Sequence, residues 1–538
     1  MSSYQLTDEQ IKIIGAVQKQ ESPILKVKAF AGTGKTSTLV EAAKSISGRK
    51  LYLAFNEGIK REAEPKFAPY DTEVKTTHAL AHSYIVKDHN IKVKKANYVP
   101  QEIVEKYDCR YEIARRALDY LSSYCHSAQD GFTITAEDYN DKSATESFTV
   151  ARQLFQDMLD KKISMTHDVY LKIFEMKLKV GYIKPPTYKL IMLDEAQDTN
   201  DVTLSIFYLM SAQQKLIVGD SHQQIYSFRG SIDAMDKVEA ELFVLTNSFR
   251  FTKEIGDKAN NFLTKFRNEK LNINGRAESR EILPEDDTVA YLTRSNAKLI
   301  SIIAEFMVQE KPIKVVRDPE LIFGLAINME RLKYDNISAI DEDFNYLKSF
   351  AKEWERLILK GDSEFETIFE YIVSIIQDEE DEIVRTIKLL EKYKYIDPIY
   401  QYARKYYKTK DNILISVTTA HAAKGLEWEH VIVENDFPEW GKLIAKWFKS
   451  VDKDPAKIAH PFQYFVKNCK KQEYIDEFNL YYVAITRGKY LVEDHTWFNN
   501  LPEQESEYDE HIMNAFSEDI KIKVGKKKKS KKNLLIPY

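Results

Sequence analysis

The segment AFAGTGKT, residues 29–36, has the residue types and spacing of a loop that binds phosphate groups. Gly32 and Gly34 allow backbone amides to approach an anion closely, because glycine has no side chain to obstruct them. The helix predicted to follow would direct its positive N-terminal end at the same anion. Lys35 is spaced to reach the β- and γ-phosphates of a nucleoside triphosphate, and Thr36 to coordinate Mg²⁺.

Such a loop needs an acidic residue on a neighbouring strand, and KLIMLDEAQD, residues 189–198, supplies two. Asp194, at the predicted end of the strand, would hold the Mg²⁺ shell, and Glu195 would orient and deprotonate the attacking water. Alone, this acidic run could be a helix N-terminus, but together with the phosphate loop it favours catalysis. We therefore expect ATP and Mg²⁺ as cofactors. The predicted phosphate-binding residues are Ala31, Gly32, Thr33, Gly34, Lys35, Thr36 and Ser37.

A further nucleotide contact is predicted near the N-terminus, in LTDEQ, residues 6–10. Thr7 and Gln10 have the spacing of a capping box, in which two side chains stabilise the start of a helix. Gln10 could instead recognise adenine, because its amide both donates and accepts hydrogen bonds. The spacing alone favours the cap, and both interpretations stay open.

Short apolar runs before polar turns predict the strands that position these residues. In the first half they are 23–30, 50–55, 189–193 and 215–218, and in the second half 287–292, 412–418 and 430–434. Strands that alternate with helical segments indicate a parallel sheet. The predicted fold class is therefore α/β, with two such sheets in tandem.

Two long stretches, 89–185 and 319–408, have helical periodicity and few strand signals, which predicts a mainly helical insertion in each half. The expected organisation follows from them. It consists of a first core (1–88 and 186–240) with the insertion 89–185, a second core (241–318 and 409–500) with the insertion 319–408, and an acidic linker and basic tail (501–538).

The chain has 538 residues and a net charge of −5, and 43% of its residues are hydrophobic. No apolar run approaches the roughly 20 residues that span a bilayer. The N-terminal sequence MSSYQLTDEQ lacks the pattern of a secretory signal. We therefore expect a cytoplasmic, monomeric protein without a membrane partner, associated with the nucleoid if the source is bacterial or phage.

Positive charge is concentrated at the C-terminus, where residues 521–538 include eight lysines and no acidic residue. Since the rest of the chain is acidic, a polyanion must bind in a local groove rather than on a globally positive surface. We expect the acidic stretch 502–510 and the lysine tail to be weakly ordered.

The string GDSHQQIYSFRG, residues 219–230, makes the sequence recognisable. With AFAGTGKT and DEAQD it resembles superfamily 1 DNA helicases of the UvrD/Rep group, and within that group the F-box DNA helicase branch. TNSFR (246–250), TTAHAAKGLEW (418–428) and NLYYVAITRGK (479–489) follow in the family's order. The resemblance implies two RecA-like P-loop cores and an ATP-dependent 3′-to-5′ helicase that acts on single-stranded DNA and duplex junctions.

The resemblance also implies roles for matched residues around the nucleotide. Gln223 would sense the γ-phosphate, and Arg250 and Arg487 would be arginine fingers that offset charge developing during hydrolysis. Glu427 would contact the ribose, and Phe249 would lie against the adenine. Gly488 stands where alanine is common, and we expect it to loosen a helix by up to about 1 kcal/mol.

On the DNA side, the resemblance implies contacts from two segments of the first core and from the residues after Gln223. Aromatic side chains there would stack on bases, which tolerates any sequence. Simple core packing is the alternative for Tyr226 and Phe228. The predicted DNA-binding residues are Phe55, Asn56, Thr77, His78, Tyr226, Phe228 and Arg229.

Two further functional classes remain open. The F-box-like resemblance is compatible with a translocase that strips proteins such as recombinase filaments and unwinds poorly. The second class is an ATP-gated adaptor in a repair or defence complex. No motif explains residues 437–478, which contain Trp440 and Trp447. This segment could recruit a recombination or repair partner.

Overall fold

The computed structural model of the chain describes residues 5–87, 91–94, 97–227, 233–280, 284, 286–360, 365–376, 378, 381–409 and 412–530, with the backbone alone over 518–530. The chain divides into two compact units, Met1–Phe249 and Arg250–Tyr538. Each unit has its own parallel sheet with helices around it, as predicted for the α/β class.

The sheet of the first unit has six strands, and all of its pairings are parallel. The strands of this unit are β1 (Ile24–Ala29), β2 (Lys50–Ala54), β3 (Thr72–Thr76), β4 (Tyr188–Leu193), β5 (Ala212–Gly219), β6 (Glu241–Leu245) and the two-residue β7 (Asn247–Ser248). The sheet order is β3-β2-β4-β5-β1-β6. The four strands predicted in the first half are confirmed as β1, β2, β4 and β5.

The end of the first core differs from the predicted boundary at residue 240. Strand β6 pairs with β1 along its length, from Leu25 beside Glu241 to Ala29 beside Leu245. The sheet of the first unit therefore includes residues that the sequence assigned to the second core. Only part of β6 is buried, so it lacks the continuous apolar run that revealed the central strands.

Eleven helices accompany this sheet in the part of the first unit that the structure describes. They are α1 (Asp8–Lys19), α2 (Lys35–Lys44), α3 (Glu57–Phe67), α4 (Thr77–Ile85), α5 (Pro100–Tyr107), α6 (Tyr111–His126), α7 (Ala136–Tyr139), α8 (Lys142–Leu159), α9 (His167–Lys179), α10 (Asp201–Leu209) and α11 (Ala234–Lys237). Five of them, α5 to α9, lie between β3 and β4 and form a helical insertion.

Apolar residues cover both faces of the first sheet. Along β2 all five positions are buried. Leu51 and Leu53 belong to one hydrophobic cluster, and Tyr52 and Ala54 to the other. Because side chains alternate across a strand, this division marks a sheet buried on both sides. The strand ends are thereby held rigidly where the polar residues follow.

The described strands of the second unit are β8 (Asn274–Gly275), β9 (Val289–Thr293), β10 (Lys314–Val315), β11 (Ile415–Thr419), β12 (Trp428–Val433) and β13 (Gly488–Asp494). Five of them form a sheet in the order β10-β11-β9-β12-β13, and all of its pairings are parallel. The three strands predicted in the second half are confirmed as β9, β11 and β12.

Helices account for most of the remaining described residues of the second unit. They are α12 (Lys253–Arg267), α13 (Asn296–Val308), α14 (Pro319–Lys333), α15 (Leu347–Lys360), α16 (Ile368–Ile376), α17 (Glu382–Lys392), α18 (Asp397–Tyr406), α19 (Trp440–Ser450), α20 (Pro461–Asn468), α21 (Gln472–Ile485) and α22 (Glu505–Ser530). Helices α14 to α18 form the second helical insertion. No helix in the described ranges is long and apolar enough to cross a membrane.

The segment 437–478, which no motif explained, forms α19, α20 and the start of α21, and α22 packs on it. The Tyr508 ring stacks on Phe462 with centroids 4.4 Å apart, and Trp440 stacks on His511 at 4.5 Å. Tyr508 and Ile512 are buried. Residues 505–510, expected to be weakly ordered, instead begin a helix fixed by this aromatic contact.

Candidate nucleotide and DNA sites

The predicted phosphate loop joins β1 to α2, which begins at Lys35. Gly32 has φ 72° and Gly34 has φ 78°, the left-handed region that glycine adopts readily. Ala31 and Thr33 are almost fully buried, and the Thr33 hydroxyl donates to the Phe30 carbonyl oxygen at 2.8 Å. These two residues can therefore contribute only backbone groups to a phosphate.

Lys35 and Glu195 form an ion pair within the first unit. Lys35 Nζ lies 3.1 Å from Glu195 Oε1 and 3.2 Å from Oε2. Burial alone would lower the pKa of Lys35, but the carboxylates of Glu195, Asp220 and Asp194 outweigh it and raise that pKa above its ordinary value. The lysine is therefore held as a cation at the start of α2.

Asp194 directly follows β4, as predicted, and is 3% exposed. Its Oδ2 accepts a hydrogen bond of 2.6 Å from the Tyr52 hydroxyl, and its Oδ1 accepts one of 2.9 Å from the Glu195 backbone amide. Burial, followed by the charge of Glu195, raises the pKa of Asp194 to about 6, against the opposing effects of Lys35 and Tyr52.

The residues after β4 and β5 are joined by a chain of hydrogen bonds. Gln197 Nε2 donates to Glu195 Oε2 at 2.6 Å, and Gln197 Oε1 accepts from the Asp220 amide at 3.0 Å. Gln223 Nε2 donates to Asp220 Oδ2 at 2.6 Å. The predicted base and the predicted γ-phosphate sensor are therefore linked through Gln197 and Asp220, whose roles the sequence did not reveal.

The oxygen ligands in this region fit a small divalent cation. Mg²⁺ prefers carboxylate, hydroxyl, water and phosphate oxygens, and Asp194 and Thr36 supply the first two types. Each carboxylate oxygen of Asp194 accepts one of the hydrogen bonds described above, which leaves further lone pairs available. Thr36 and the exposed Ser37 lie in the first turn of α2.

The capping role of Gln10 is confirmed. The Thr7 hydroxyl accepts from the Gln10 amide at 3.2 Å, and Gln10 Oε1 accepts from the Thr7 amide at 3.0 Å. Gln10 is fully buried, and its Nε2 donates to Thr38 Oγ1 at 3.0 Å. Adenine recognition by Gln10 stays a prediction, and it would require this amide to be shared with, or released from, those contacts.

Glu9, beside Gln10, is a residue that sequence reasoning missed. Its carboxylate accepts from the Thr246 amide at 2.9 Å, the Thr246 hydroxyl at 2.6 Å and Asn247 Nδ2 at 3.0 Å. The same segment leads to Phe249, which is 40% exposed and whose amide donates to the Gly32 carbonyl at 2.9 Å. Glu9 therefore fixes the chain that carries Phe249 to the phosphate loop.

Three predicted residues of the second unit lie close together. Arg250 Nε donates to Glu427 Oε2 at 2.9 Å, and Lys489 Nζ lies 3.2 Å from Glu427 Oε1. Burial alone would raise the pKa of Glu427, but Arg250 and Lys489 lower it below its ordinary value. Arg250 also donates to the Thr486 carbonyl at 3.3 Å, next to Arg487.

Arg487 is only 1% exposed. Its Nε donates to the Val483 carbonyl at 2.9 Å and its second terminal nitrogen to Thr486 Oγ1 at 3.2 Å. An arginine finger must reach the nucleotide, so this role requires Arg487 to leave these bonds.

The expectation that Gly488 loosens a helix is wrong. Helix α21 ends at Ile485 and Gly488 is the first residue of β13. A Cβ atom at this position would lie 2.7 Å from Val492 Cγ2 and 2.8 Å from the Leu491 carbonyl oxygen. Glycine is therefore needed for the close packing at the start of this strand.

Two predicted DNA contacts, Phe55 and Tyr226, come together in the first unit. Their rings are nearly parallel, with centroids 6.3 Å apart and an interplanar angle of 15°. Phe55 is 37% exposed and Tyr226 is partly buried, so the core-packing alternative for Tyr226 stays open. The neighbouring Asn56 caps α3, because its Oδ1 accepts from the Ile59 amide at 2.9 Å.

The remaining predicted DNA contacts differ in accessibility. Thr77 is 6% exposed, whereas the side chain of His78 is 41% exposed. His78 Nε2 lies 3.5 Å from Asp168 Oδ1, which joins α4 to the helical insertion. Phe228 and Arg229 lie outside the described residues.

Two family models match this chain, and together they span most of it. Residues 6–241 match the UvrD/REP helicase N-terminal domain, and residues 335–492 match the UvrD-like helicase C-terminal domain. The chain belongs to the UvrD/Rep helicase family. The resemblance drawn from the sequence motifs is thereby confirmed, and the two parallel-sheet units fit the two-domain architecture of this helicase family.

Several curated proteins are similar to this UvrD/Rep family member. F-box DNA helicase 1 of Gallus gallus is 27% identical over 527 residues, covering 91% of this chain and 49% of the relative. F-box DNA helicase protein 1 of Schizosaccharomyces pombe is 27% identical over 544 residues, covering 90% and 56%. The ATP-dependent DNA helicase PcrA of Leuconostoc citreum is 26% identical over 284 residues, covering 46% and 37%. The chain spans about half the length of the F-box relatives.

Proposed function

We propose that this UvrD/Rep family member is a DNA-dependent ATPase that moves 3′ to 5′ along single-stranded DNA and separates duplexes. One observation carries the proposal. The residues that suit ATP hydrolysis and the stacked Phe55–Tyr226 pair follow the carboxyl ends of neighbouring strands of one sheet, β1, β2, β4 and β5. In open parallel sheets, ligands bind at this edge, so nucleotide and DNA would both bind to the same rigid sheet.

Hydrolysis is assigned to the residues around the phosphate loop. The loop amides and the cationic Lys35 would bind the β- and γ-phosphates. Glu195 would release Lys35 to the phosphate and orient the attacking water, whose proton it accepts. Mg²⁺, held by Asp194 and Thr36, would neutralise charge on the phosphates.

The nucleotide would be linked to DNA through Gln223 and the residues that follow it. Gln223 donates to Asp220, and Asp220 contacts Gln197, the partner of Glu195. Tyr226 lies three residues after Gln223 and stacks beside Phe55. A γ-phosphate that draws Gln223 away from Asp220 would therefore shift the backbone segment that carries Tyr226. Such a shift would couple ATP hydrolysis to the stacking of Tyr226 on DNA bases.

The second unit would contribute Arg250 and Arg487 to the same hydrolysis, as the family resemblance implies. Both are held in the second unit by bonds to Glu427 or to backbone carbonyls. Exchange of these bonds for phosphate contacts would make hydrolysis depend on both units. Repeated exchange during turnover would then convert chemistry into movement.

Strand displacement on tailed duplexes tests the proposal. With ATP and Mg²⁺, the protein should release the shorter strand from a duplex with a 3′ single-stranded tail, and Lys35→Ala should not. A blunt duplex controls for nonspecific melting. Release from the 5′-tailed substrate alone would contradict the direction, and ATP hydrolysis without release from either substrate would contradict unwinding.

A further inference from the structure

We infer that Tyr52 is a positioning residue for the divalent cation of the bound nucleotide, acting through Asp194. The inference rests on the proposed ATPase function and deepens it. Tyr52 lies in the middle of β2, which two other strands, β4 and β5, separate from the phosphate loop's own strand β1. No sequence motif marks it.

The geometry joins the Tyr52 hydroxyl to one oxygen of Asp194. β2 and β4 are adjacent and parallel, with Tyr52 beside Met192 and Leu53 beside Leu193. The phenol reaches along the sheet from Tyr52 to Asp194, where its oxygen lies 2.6 Å from Oδ2. Both side chains are at least 97% buried, so solvent does not compete for this bond.

Packing alone does not require a hydroxyl at this position. The Tyr52 ring lies against Phe67 with centroids 4.6 Å apart, inside a cluster of apolar side chains. Phenylalanine would fill the same space. A buried hydroxyl is unfavourable unless it is hydrogen-bonded, and here its partner is the carboxylate that fits the cation. The tyrosine oxygen therefore has a role at Asp194 rather than in the core.

Asp194 is held at both of its oxygens. Tyr52 donates to Oδ2, and the Glu195 amide donates to Oδ1. The amide fixes one end of the carboxylate, and the phenol fixes its rotation. Residues that orient a metal ligand in this way typically change metal affinity by about 10- to 100-fold when they are removed. Tyr52 is thus expected to govern how well Mg²⁺ binds, with little direct effect on the nucleotide itself.

Tyr52→Phe tests this inference, because it removes only the hydroxyl. Binding of a fluorescent, non-hydrolysable ATP analogue is measured at increasing Mg²⁺ concentration, without turnover. The variant should need about tenfold more Mg²⁺ for half-maximal binding, while its affinity for the analogue in EDTA equals that of the wild type. An unchanged Mg²⁺ midpoint would overturn the inference, as would an equal loss of affinity in EDTA.

Tyr188→Phe is the matched control. Tyr188 is a buried tyrosine of the neighbouring strand β4, and its hydroxyl lies 3.4 Å from Glu73, away from Asp194. Its Mg²⁺ midpoint should equal that of the wild type, and a shift as large as that of Tyr52→Phe would contradict a specific role. Failure of the wild type to bind the analogue at any Mg²⁺ concentration would instead overturn the proposed ATPase function itself.

Discussion

Lys35 Nζ contacts both carboxylate oxygens of Glu195, at 3.1 and 3.2 Å. The cation suited to phosphate and the carboxylate suited to water are therefore paired with each other in this structure. Their side chains are only 13% and 18% exposed, so the pair is screened little by solvent. Nucleotide binding must compete with this contact, which makes Glu195 a determinant of affinity as well as of turnover.

Glu195→Gln should separate these two effects. Loss of the base is expected to lower ATP turnover by about 10²- to 10⁴-fold. Affinity for a non-hydrolysable analogue should be equal or higher, because Lys35 loses its competing carboxylate. Steady-state hydrolysis and equilibrium binding measure the two quantities. Glu41→Gln, which alters the partly exposed partner of Lys44 on α2, is the control, and weaker binding by Glu195→Gln alone would contradict the competition.

Phe55→Ala and Tyr226→Ala should each weaken binding of single-stranded DNA by about tenfold, because stacking contributes about 1–3 kcal/mol per base. The two rings lie beside each other, so the double variant should lose less than the sum of both single losses. Fluorescence anisotropy with an oligonucleotide measures the affinities. Tyr182→Ala removes an aromatic ring that is 77% exposed elsewhere in the first unit. A loss of equal size there would contradict a local base contact.

Glu9→Ala should raise the KM for ATP several-fold and leave kcat nearly unchanged. The reason is positional: Glu9 holds Thr246 and Asn247, which precede Phe249, the predicted adenine contact. Three lost hydrogen bonds are also expected to lower the free energy of unfolding by about 1–3 kcal/mol. Steady-state kinetics and thermal unfolding check both effects. The exposed neighbour Asp8→Ala is the control, and an unchanged KM for Glu9→Ala would refute the assignment.

The free energy of unfolding is expected to depend on pH through Asp233. Burial raises the pKa of this carboxyl to about 6, and the charges of Asp236 and Asp220 add to that effect. Because an unfolded aspartate titrates near pH 3.9, the folded state binds the proton more tightly, and stability falls as the pH rises from about 4 to 6.

Asp233→Asn should therefore be more stable than the wild type at pH 8, by about 1–3 kcal/mol. The amide oxygen can still cap α11, as Asp233 Oδ1 does by accepting from Met235 at 2.9 Å. The difference should shrink as the pH falls below about 6. Chemical unfolding at several pH values measures it, with Asp119→Asn, at an exposed position of α6, as control. A difference that does not vary with pH would rule out titration of Asp233.

Deletion of residues 521–538 should weaken DNA binding and flatten its salt dependence, because eight lysines are removed. The deletion shortens α22, but Tyr508 and Ile512 lie in the part that remains and are buried, so the truncated protein keeps its contacts with α19 and α20. Affinities measured between low and high salt give the slope. An identical slope in the truncated protein would exclude the tail from DNA contact.

The sequence predicted the central strands and the phosphate loop because their signals are local. β1, β2, β4 and β5 are short apolar runs, and the turn conformations of Gly32 and Gly34 depend on residues within the loop itself. The acid at the end of β4 follows from the same local order. Edge strands such as β3, whose residues TEVKT are mostly polar and half-buried, carry no comparable signal.

Contacts between distant residues could not be predicted in this way. Tyr52 meets Asp194 across 142 positions, and Glu9 meets Thr246 across 237. Neither pair has a spacing that a motif can express, because the sheet brings the partners together. The same reason applies to Arg487, whose motif predicts a reaching side chain although packing buries it. Contact of Phe228 and Arg229 with DNA stays a prediction.

The rate of ATP hydrolysis with no nucleic acid, with single-stranded DNA and with single-stranded RNA tests the central claim most directly. Each condition is repeated with Lys35→Ala. We predict that the protein alone hydrolyses ATP slowly and that single-stranded DNA raises the rate at least tenfold. The Lys35→Ala variant should hydrolyse no ATP under any of these conditions. A rate that single-stranded DNA leaves unchanged, or a Lys35→Ala protein as active as the wild type, would contradict an ATP-driven motor on DNA.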